Sequence, residues 1–288
     1  MYAEKCDLCG FINQVSIYKF ESWTLLQCNK CGLRWGSPKP NPIKISSIYN
    51  RNYFNSQNAS IIGYKSYSQE QIVKNRTFNY WYKKIEKILE KGSCLDVGCA
   101  YGYSVKVAEN RGWDAYGIDI SEHAVCMAKK ENIHVTCTDF FSVDHNRKFD
   151  LITAWDVLEH MICPKKFMEK ASKHLNNNGL LSITTPIYDS ILAKYYRRNW
   201  FEYKWPEHLF YFSRKSLIQY FRQFNLKIIY FKYAIKFKPV INALFRLIGK
   251  YEANNHKIFN NIYIPYSSFS EAFIIVQKNV NKPVLVPR

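Results

Sequence analysis

A chain of 288 residues with 47% apolar and 17% aromatic content can fill a sizeable core and has room for two domains, which excludes a disordered tail. Its 41 Lys and Arg against 23 Asp and Glu leave a formal charge of +18, suited to phosphate, nucleic acid or an anionic membrane surface, although the accompanying Asn, Ile and Tyr richness marks part of the Lys excess as compositional bias. Nine cysteines, a start without a charged-then-apolar leader and no run of about 18 apolar residues argue against a disulfide scaffold, a secretory signal and a membrane span; the expected location is the reducing cytoplasm.

Residues 1–42 read as a small module. Cys6-x-x-Cys9 is followed after eighteen residues by Cys28-x-x-Cys31, within the spacing range of a four-cysteine zinc ribbon. Gly10 and Gly32 directly follow the second cysteine of each pair, where a turn aims backbone amides at sulfur. Apolar runs at 15–20 and 23–27 suggest a hairpin, and Pro38, Pro40 and Pro42 close the segment. A module this small needs a metal more than burial, and four Cys ligands leave no open position for an activated water. The metal expected at Cys6, Cys9, Cys28 and Cys31 is a structural Zn2+.

Residues 43–92 read as a linker and an entry helix. Positions 43–69 are rich in Ser, Asn and Tyr without periodicity; Phe78, Trp81, Ile85, Ile88 and Leu89 then recur at helical spacing until Gly92. From 93 to 288, short apolar runs at 94–97, 113–118, 133–137, 150–155 and 180–184 alternate with helical patterns. The alternation predicts an α/β fold, a Rossmann-like parallel sheet covered by helices on both faces, which the runs at 226–233 and 272–277 complete.

After the first of these strands comes Leu95-Asp96-Val97-Gly98-Cys99-Ala100-Tyr101-Gly102. Glycines at a strand-to-helix turn let a ligand approach the backbone, yet the pattern is neither the dinucleotide G-x-G-x-x-G nor a P-loop. Asp96 repels a pyrophosphate and favours a cationic ligand. Asp119 ends the next strand twenty-three residues on, a spacing that suits an acid accepting from ribose hydroxyls. Asp139 ends the third, and Trp155 and Asp156 end the fourth. Taken singly, such glycines and acids are also ordinary turns and helix caps.

Together these elements resemble the class I S-adenosylmethionine-dependent methyltransferases, with Gly117-Ile118-Asp119, Phe149-Asp150-Leu151-Ile152, Leu158-Glu159-His160 and the run 179–186 extending the likeness over about 93–186. The resemblance implies S-adenosylmethionine as cofactor. Its methionine end would lie on Asp96, Gly98, Cys99, Ala100 and Gly102, its ribose on Asp119, and its adenine against Asp139 and Phe140, with Ile120 and Trp155 alongside. Ala100 departs from the family, which usually has glycine there.

Farther on, Glu207-His208-Leu209-Phe210-Tyr211-Phe212-Ser213 looks like the E-H-L-x-x-F-S segment of methyltransferases acting on small metabolites and sugars, many from surface-polysaccharide pathways. The expected reaction is O-methylation of a sugar hydroxyl in a cell-surface glycan or its nucleotide- or lipid-linked precursor. An alcohol must shed its proton, and the candidate bases are His208, then His160, then Glu207. Tyr101, Trp155, Trp200 and Trp205 are candidate stacking rings for a sugar. A cationic amphipathic helix at 239–251 suggests peripheral membrane contact. Two other readings are an RNA methyltransferase whose ribbon meets the phosphate backbone, disfavoured by the lack of an Asn-Pro-Pro-Tyr type motif, and a non-catalytic zinc-ribbon adaptor, disfavoured by the intact acids.

Overall fold

The computed structural model describes residues 5–41, 48–55, 63–64, 66–144, 146–239 and 262–279. Apolar alternation in the N-terminal segment yields three short strands, β1 (Gln14–Lys19), β2 (Thr24–Cys28) and β3 (Arg34–Ser37), paired antiparallel in chain order. A short helix, α1 (Arg51–Phe54), and then α2 (Gln71–Ile85) follow. Helix α2 buries Phe78, Trp81, Tyr82 and Ile85, one face at the predicted period. It stops at Ile85, before the expected Gly92, and Ile88 stays exposed. There the chain turns so that Glu86 receives Arg111 Nε at 2.8 Å and Trp113 Nε1 at 3.2 Å.

The main sheet starts at β4 (Ser93–Val97) and continues through α3 (Tyr103–Asn110), β5 (Asp114–Asp119), α4 (Glu122–Lys130), β6 (Val135–Cys137) and β7 (Phe149–Trp155). Next come α5 (Pro164–His174), β8 (Leu175–Pro186), α6 (Ile191–Tyr196), β9 (Phe210–Tyr211), α7 (Arg214–Gln223), β10 (Leu226–Pro239) and β11 (Tyr263–Lys278). Serine caps set several helix starts: the side chains of Ser121, Ser190 and Ser213 accept from the backbone N–H groups of Ala124, Ala193 and Ser216.

Seven strands stand in the order β10-β11-β8-β7-β4-β5-β6. Strands β4 to β8 pair parallel, as predicted. The sheet as a whole is mixed, because β11 enters between β8 and β10 antiparallel to both. Its Phe273, Ile274, Ile275 and Val276 are all buried, as a central strand covered on both faces requires. Chain order reverses direction at β4, whose neighbours β5 and β7 lie on opposite sides, and a ligand crevice opens beyond the carboxyl ends of strands at such a point.

The N-terminal sheet does not stand alone. Its fourth strand is β9, paired with β3 through Arg34↔Tyr211 and Trp35↔Phe210. Cys6, Leu8, Cys28, Cys31, Leu33 and Trp35 share one apolar core with Phe210, Phe212, Leu217 and Tyr220. Asp7 also binds across, accepting from the Lys165 backbone N–H at 2.9 Å and from Tyr220 Oη at 2.7 Å. No helix among the described residues is long and apolar enough to cross a membrane. The helix expected at 239–251 falls, from 240 onward, outside the described residues.

Candidate active site

The turn from β4 into α3 is built on left-handed backbone. Gly98, Ala100 and Gly102 have φ of 70, 49 and 73°. A Cβ on Gly98 would lie 2.7 Å from Val157 Cγ2, and one on Gly102 would lie 2.9 Å from Ile133 Cγ2, so both positions demand glycine by conformation and by space. Ala100 adopts the same conformation with a methyl group, and its N–H is taken by Asp119 Oδ2 at 2.8 Å. The other oxygen of Asp119 accepts from the Ser121 N–H at 2.8 Å. Burial raises the Asp119 pKa, while these amides oppose the rise. Asp119 therefore both clamps the loop and stands at the end of β5, where a ribose acid belongs.

Not every expected side chain faces this crevice. Asp96 is 2% exposed and accepts from Thr153 Oγ1 at 2.5 Å; burial pushes its pKa up to about 7, which weakens its expected role as a fixed negative charge. Cys99 is buried against Gly117, so its backbone alone lines the turn. Phe140, expected against the adenine, turns its ring into the core, 5.2 Å from Phe167 and 5.9 Å from His174, while the ring of its neighbour Phe141 is exposed at 38%. Asp139 is exposed at the head of the same turn, its Oδ1 accepting from the Phe141 N–H, and Ile120 is 47% exposed. Trp155 donates to Ser104 Oγ at 2.8 Å and packs on Trp81 at 4.9 Å.

A second layer escaped the sequence reading. Described residues of 49–55 and of 63–64 and 66–67 pack on the glycine loop and its neighbours: Phe54 stacks on Tyr101 at 5.1 Å, Tyr67 meets Tyr101 at 4.9 Å, and Ser121 Oγ donates to the Tyr49 carbonyl at 2.6 Å. Tyr101 in turn shares a hydrogen bond with His123 at 3.1 Å. The only signal for this strap was the tyrosine content of an aperiodic stretch.

The strap ends against the Glu-His segment. Tyr53 Oη donates to Glu207 Oε1 at 2.9 Å, and the Gly63 N–H approaches Glu207 Oε2 at 3.4 Å, so Glu207 is buried holding the strap. His208 is buried with Nδ1 at 2.9 Å from the Glu202 carbonyl. His160 places Nδ1 at 2.8 Å from the Glu207 carbonyl and 3.1 Å from Tyr49 Oη. The two imidazoles lie 4.7 Å apart, nearly perpendicular. Burial lowers both histidine pKa values, that of His208 well below the ordinary one, and the opposing pull of Glu207 on His160 does not prevail. Both rings are neutral at pH 7.

At the end of β7, Asp156 sits at φ 56°. Burial works to raise its pKa, yet the Lys236 ammonium at 3.0 Å and the Thr184 hydroxyl at 2.7 Å hold it down to about 2. Lys236 comes from the extension of β10 beyond its predicted run. The proposed sugar-stacking rings are otherwise engaged: Trp200 is buried and donates to Ser270 Oγ at 2.9 Å, and Trp205 stacks on Trp23 at 6.2 Å.

In the ribbon, Cys6 Sγ lies 3.4 Å from Cys31 Sγ and Cys9 Sγ 3.6 Å from Cys28 Sγ; all four sulfurs lie within 4.8 Å of one another and none is in a disulfide. A tetrahedral zinc with bonds of about 2.3 Å separates its sulfurs by roughly 3.8 Å, so the cluster fits that ion. Gly10 and Gly32, at φ 70 and 78°, return their N–H groups to the Cys6 and Cys28 carbonyls and form the two knuckles.

Residues 64–230 match a family described as methyltransferase domain. The chain is 26% identical over 115 residues to the ubiquinone biosynthesis O-methyltransferase of Bradyrhizobium diazoefficiens, covering 36% of this chain and 46% of that protein. It is 31% identical over 103 residues to the protein of the same name from Glaesserella parasuis, 32% of this chain and 44% of that one. The chain thus spans less than half the length of these curated relatives. Among solved structures, a methyltransferase from Thermotoga maritima described as a possible histamine N-methyltransferase superposes with TM-score 0.50 at 16% identity over 74% of this chain and 95% of that one. The magnesium protoporphyrin IX methyltransferase of Synechocystis with bound SAH gives TM-score 0.50 at 15% identity over 82% and 100%. These two likenesses concern the fold. Since the family match runs from the strap to β10, more than half of the chain, the protein belongs to the methyltransferase-domain family.

Proposed function

We propose that this protein is an S-adenosylmethionine-dependent O-methyltransferase. The observation that carries the reading is the glycine loop clamped by Asp119, at the carboxyl ends of β4 and β5 where chain order reverses. S-adenosylmethionine, when bound, supplies a methyl group activated on a sulfonium. Gly98 and Gly102 leave space at the backbone that a Cβ would fill, and Asp119 keeps acceptor capacity for ribose hydroxyls. The strap of Tyr49, Tyr53, Phe54 and Tyr67 excludes water from this end.

A hydroxyl acceptor must give up its proton as its oxygen is methylated. His160 and His208 have Nδ1 engaged by carbonyls, which leaves the Nε2 lone pairs to accept it. The names of the matched relatives favour oxygen as the receiving atom. A sugar hydroxyl of a cell-surface glycan or its precursor is the acceptor we put first, on the likeness of the Glu207–Ser213 segment. The four cysteines hold zinc, which as a structural ion crosslinks β2 to the chain start. Calorimetry with S-adenosylmethionine, followed by transfer of labelled methyl to a panel of nucleotide sugars, glycans and phenols, tests the proposal. Absence of cofactor binding overturns it, and labelling of phenols alone overturns the sugar assignment.

A further inference from the structure

The side chains of Glu159, His160 and His208 converge although 48 residues separate the two histidines. Each contributes one potential ligand atom, and the three atoms lie within 4.8 Å of one another. Both imidazoles direct Nδ1 at a backbone carbonyl, Glu207 O for His160 at 2.8 Å and Glu202 O for His208 at 2.9 Å. With Nδ1–H donating, each Nε2 carries a free lone pair. Glu159 receives Thr185 Oγ1 on Oε2 at 2.9 Å, while its Oε1 is buried without a hydrogen-bond partner, 4.0 Å from His160 Nε2. Glu159 itself is 1% exposed.

We propose that Glu159, His160 and His208 bind a divalent transition-metal ion. A histidine that ligates a metal characteristically donates its other ring N–H to a carbonyl or carboxylate, and here both rings do so. Two imidazole nitrogens and one carboxylate oxygen suit zinc, iron, nickel or cobalt, and not magnesium or calcium, which take oxygen. An unpaired buried carboxylate oxygen is costly, and an ion supplies its partner. Bonds of about 2.0 to 2.2 Å bring the donors of one ion to roughly 3 to 3.6 Å of each other, so the side chains close by about 1 Å on binding. The site differs in chemistry from the four-thiolate cluster. Metal binding stands apart from the methyl-transfer reading. Only its use rests on that reading: with an ion bound, the Nε2 lone pairs would be taken up and the ion would lower the pKa of the acceptor hydroxyl, so the histidines accept the proton themselves only when this site is empty.

The experiment uses the full chain with zinc in the cysteine site, titrated with Co2+ while visible absorption and calorimetry are followed. The expected result is one further equivalent per chain, with ligand-field bands and no sulfur charge-transfer band. Affinity should fall at least tenfold in Glu159→Gln and in His208→Gln. X-ray absorption of the cobalt-loaded unaltered chain should show imidazole scattering, a measurement that needs no variant to fold. No second equivalent, a site with sulfur or without imidazole, or unchanged affinity in both folded variants overturns the proposal. S-adenosylmethionine affinity, measured in parallel, separates the outcomes: its absence with cobalt bound removes the methyltransferase reading and leaves the metal site standing.

Discussion

Asp119 carries more than one load. Its oxygens hold the N–H groups of Ala100 and Ser121, and hydrogen bonds to a charged group contribute about 1.5 to 3 kcal/mol each. Asp119→Ala should therefore weaken S-adenosylmethionine binding at least tenfold by calorimetry, through loss of the ribose partner and loosening of the loop. The neighbouring positions should respond with opposite signs. Gly98→Ala introduces a Cβ at φ 70° and 2.7 Å from Val157 Cγ2, and should destabilise by about 2 kcal/mol in urea unfolding. Ala100→Gly releases a left-handed alanine and should stabilise by about 1 kcal/mol or less, because unfolded-state entropy returns part of the gain. At the acceptor end, His208→Ala should lower turnover strongly with little change in cofactor affinity. With the Glu159–His160–His208 site empty, burial depresses the His208 pKa, so the acid limb of the rate should lie below pH 6.5; a limb centred above 7 under those conditions would exclude His208 as the proton acceptor.

At the scale of elements, the ribbon and the Glu-His segment behave as one unit. Strand β9 follows His208 within two residues and completes the ribbon sheet, and Gly36 N–H also donates to the Leu209 carbonyl at 3.0 Å. Leu209 N–H in turn reaches the Glu159 carbonyl at 2.8 Å, which ties the ribbon to the turn that carries His160. If the four cysteines hold zinc as proposed, metal loss would remove the crosslink that holds so small a sheet. Chelation, or Cys28→Ser, should raise amide hydrogen exchange in β1 to β3 and also in Phe210 and Tyr211, while β4 and β5 stay protected. Exchange confined to residues before 38 would show that the two parts are not coupled.

Across the whole molecule, the buried acids set how stability follows pH. Asp96 has a pKa raised from 3.8 to about 7 by burial. A raised acid binds more protons folded than unfolded between these values, so its stabilisation is full below about pH 4 and is lost as pH rises through 7. A shift of about three units corresponds to roughly 4 kcal/mol across that window. Asp96→Asn keeps an acceptor for Thr153 and cannot ionise, so its stability relative to the unaltered chain should increase from pH 5 to pH 8 in cofactor-free urea titrations. A difference independent of pH would show that Asp96 is already charged in the folded state. The depressed histidines act in the opposite sense, since His160 and His208 withdraw stability as pH falls below about 6.5.

Short-range information was legible in the residues themselves. The order Asp96, Gly98, Gly102, Asp119 and the two Cys-x-x-Cys pairs are local patterns, and apolar runs of strand length alternating with helical periods suffice for β4 to β8. What only the tertiary structure decided depends on contacts between distant segments that leave no period in the chain. The strap is aperiodic because its tyrosines pack individually on Tyr101 and Glu207 and not along one helix face. β11 lies antiparallel between β8 and β10 because it returns as a hairpin with β10, an arrangement that the same apolar run would also permit in parallel. That the Phe140 ring is buried and the Phe141 ring exposed is a matter of which way one short turn rotates, and both are phenylalanine. Even the meeting of Glu159, His160 and His208 follows from β9 joining the ribbon, a pairing of only two residues on each strand, too short to announce itself in sequence.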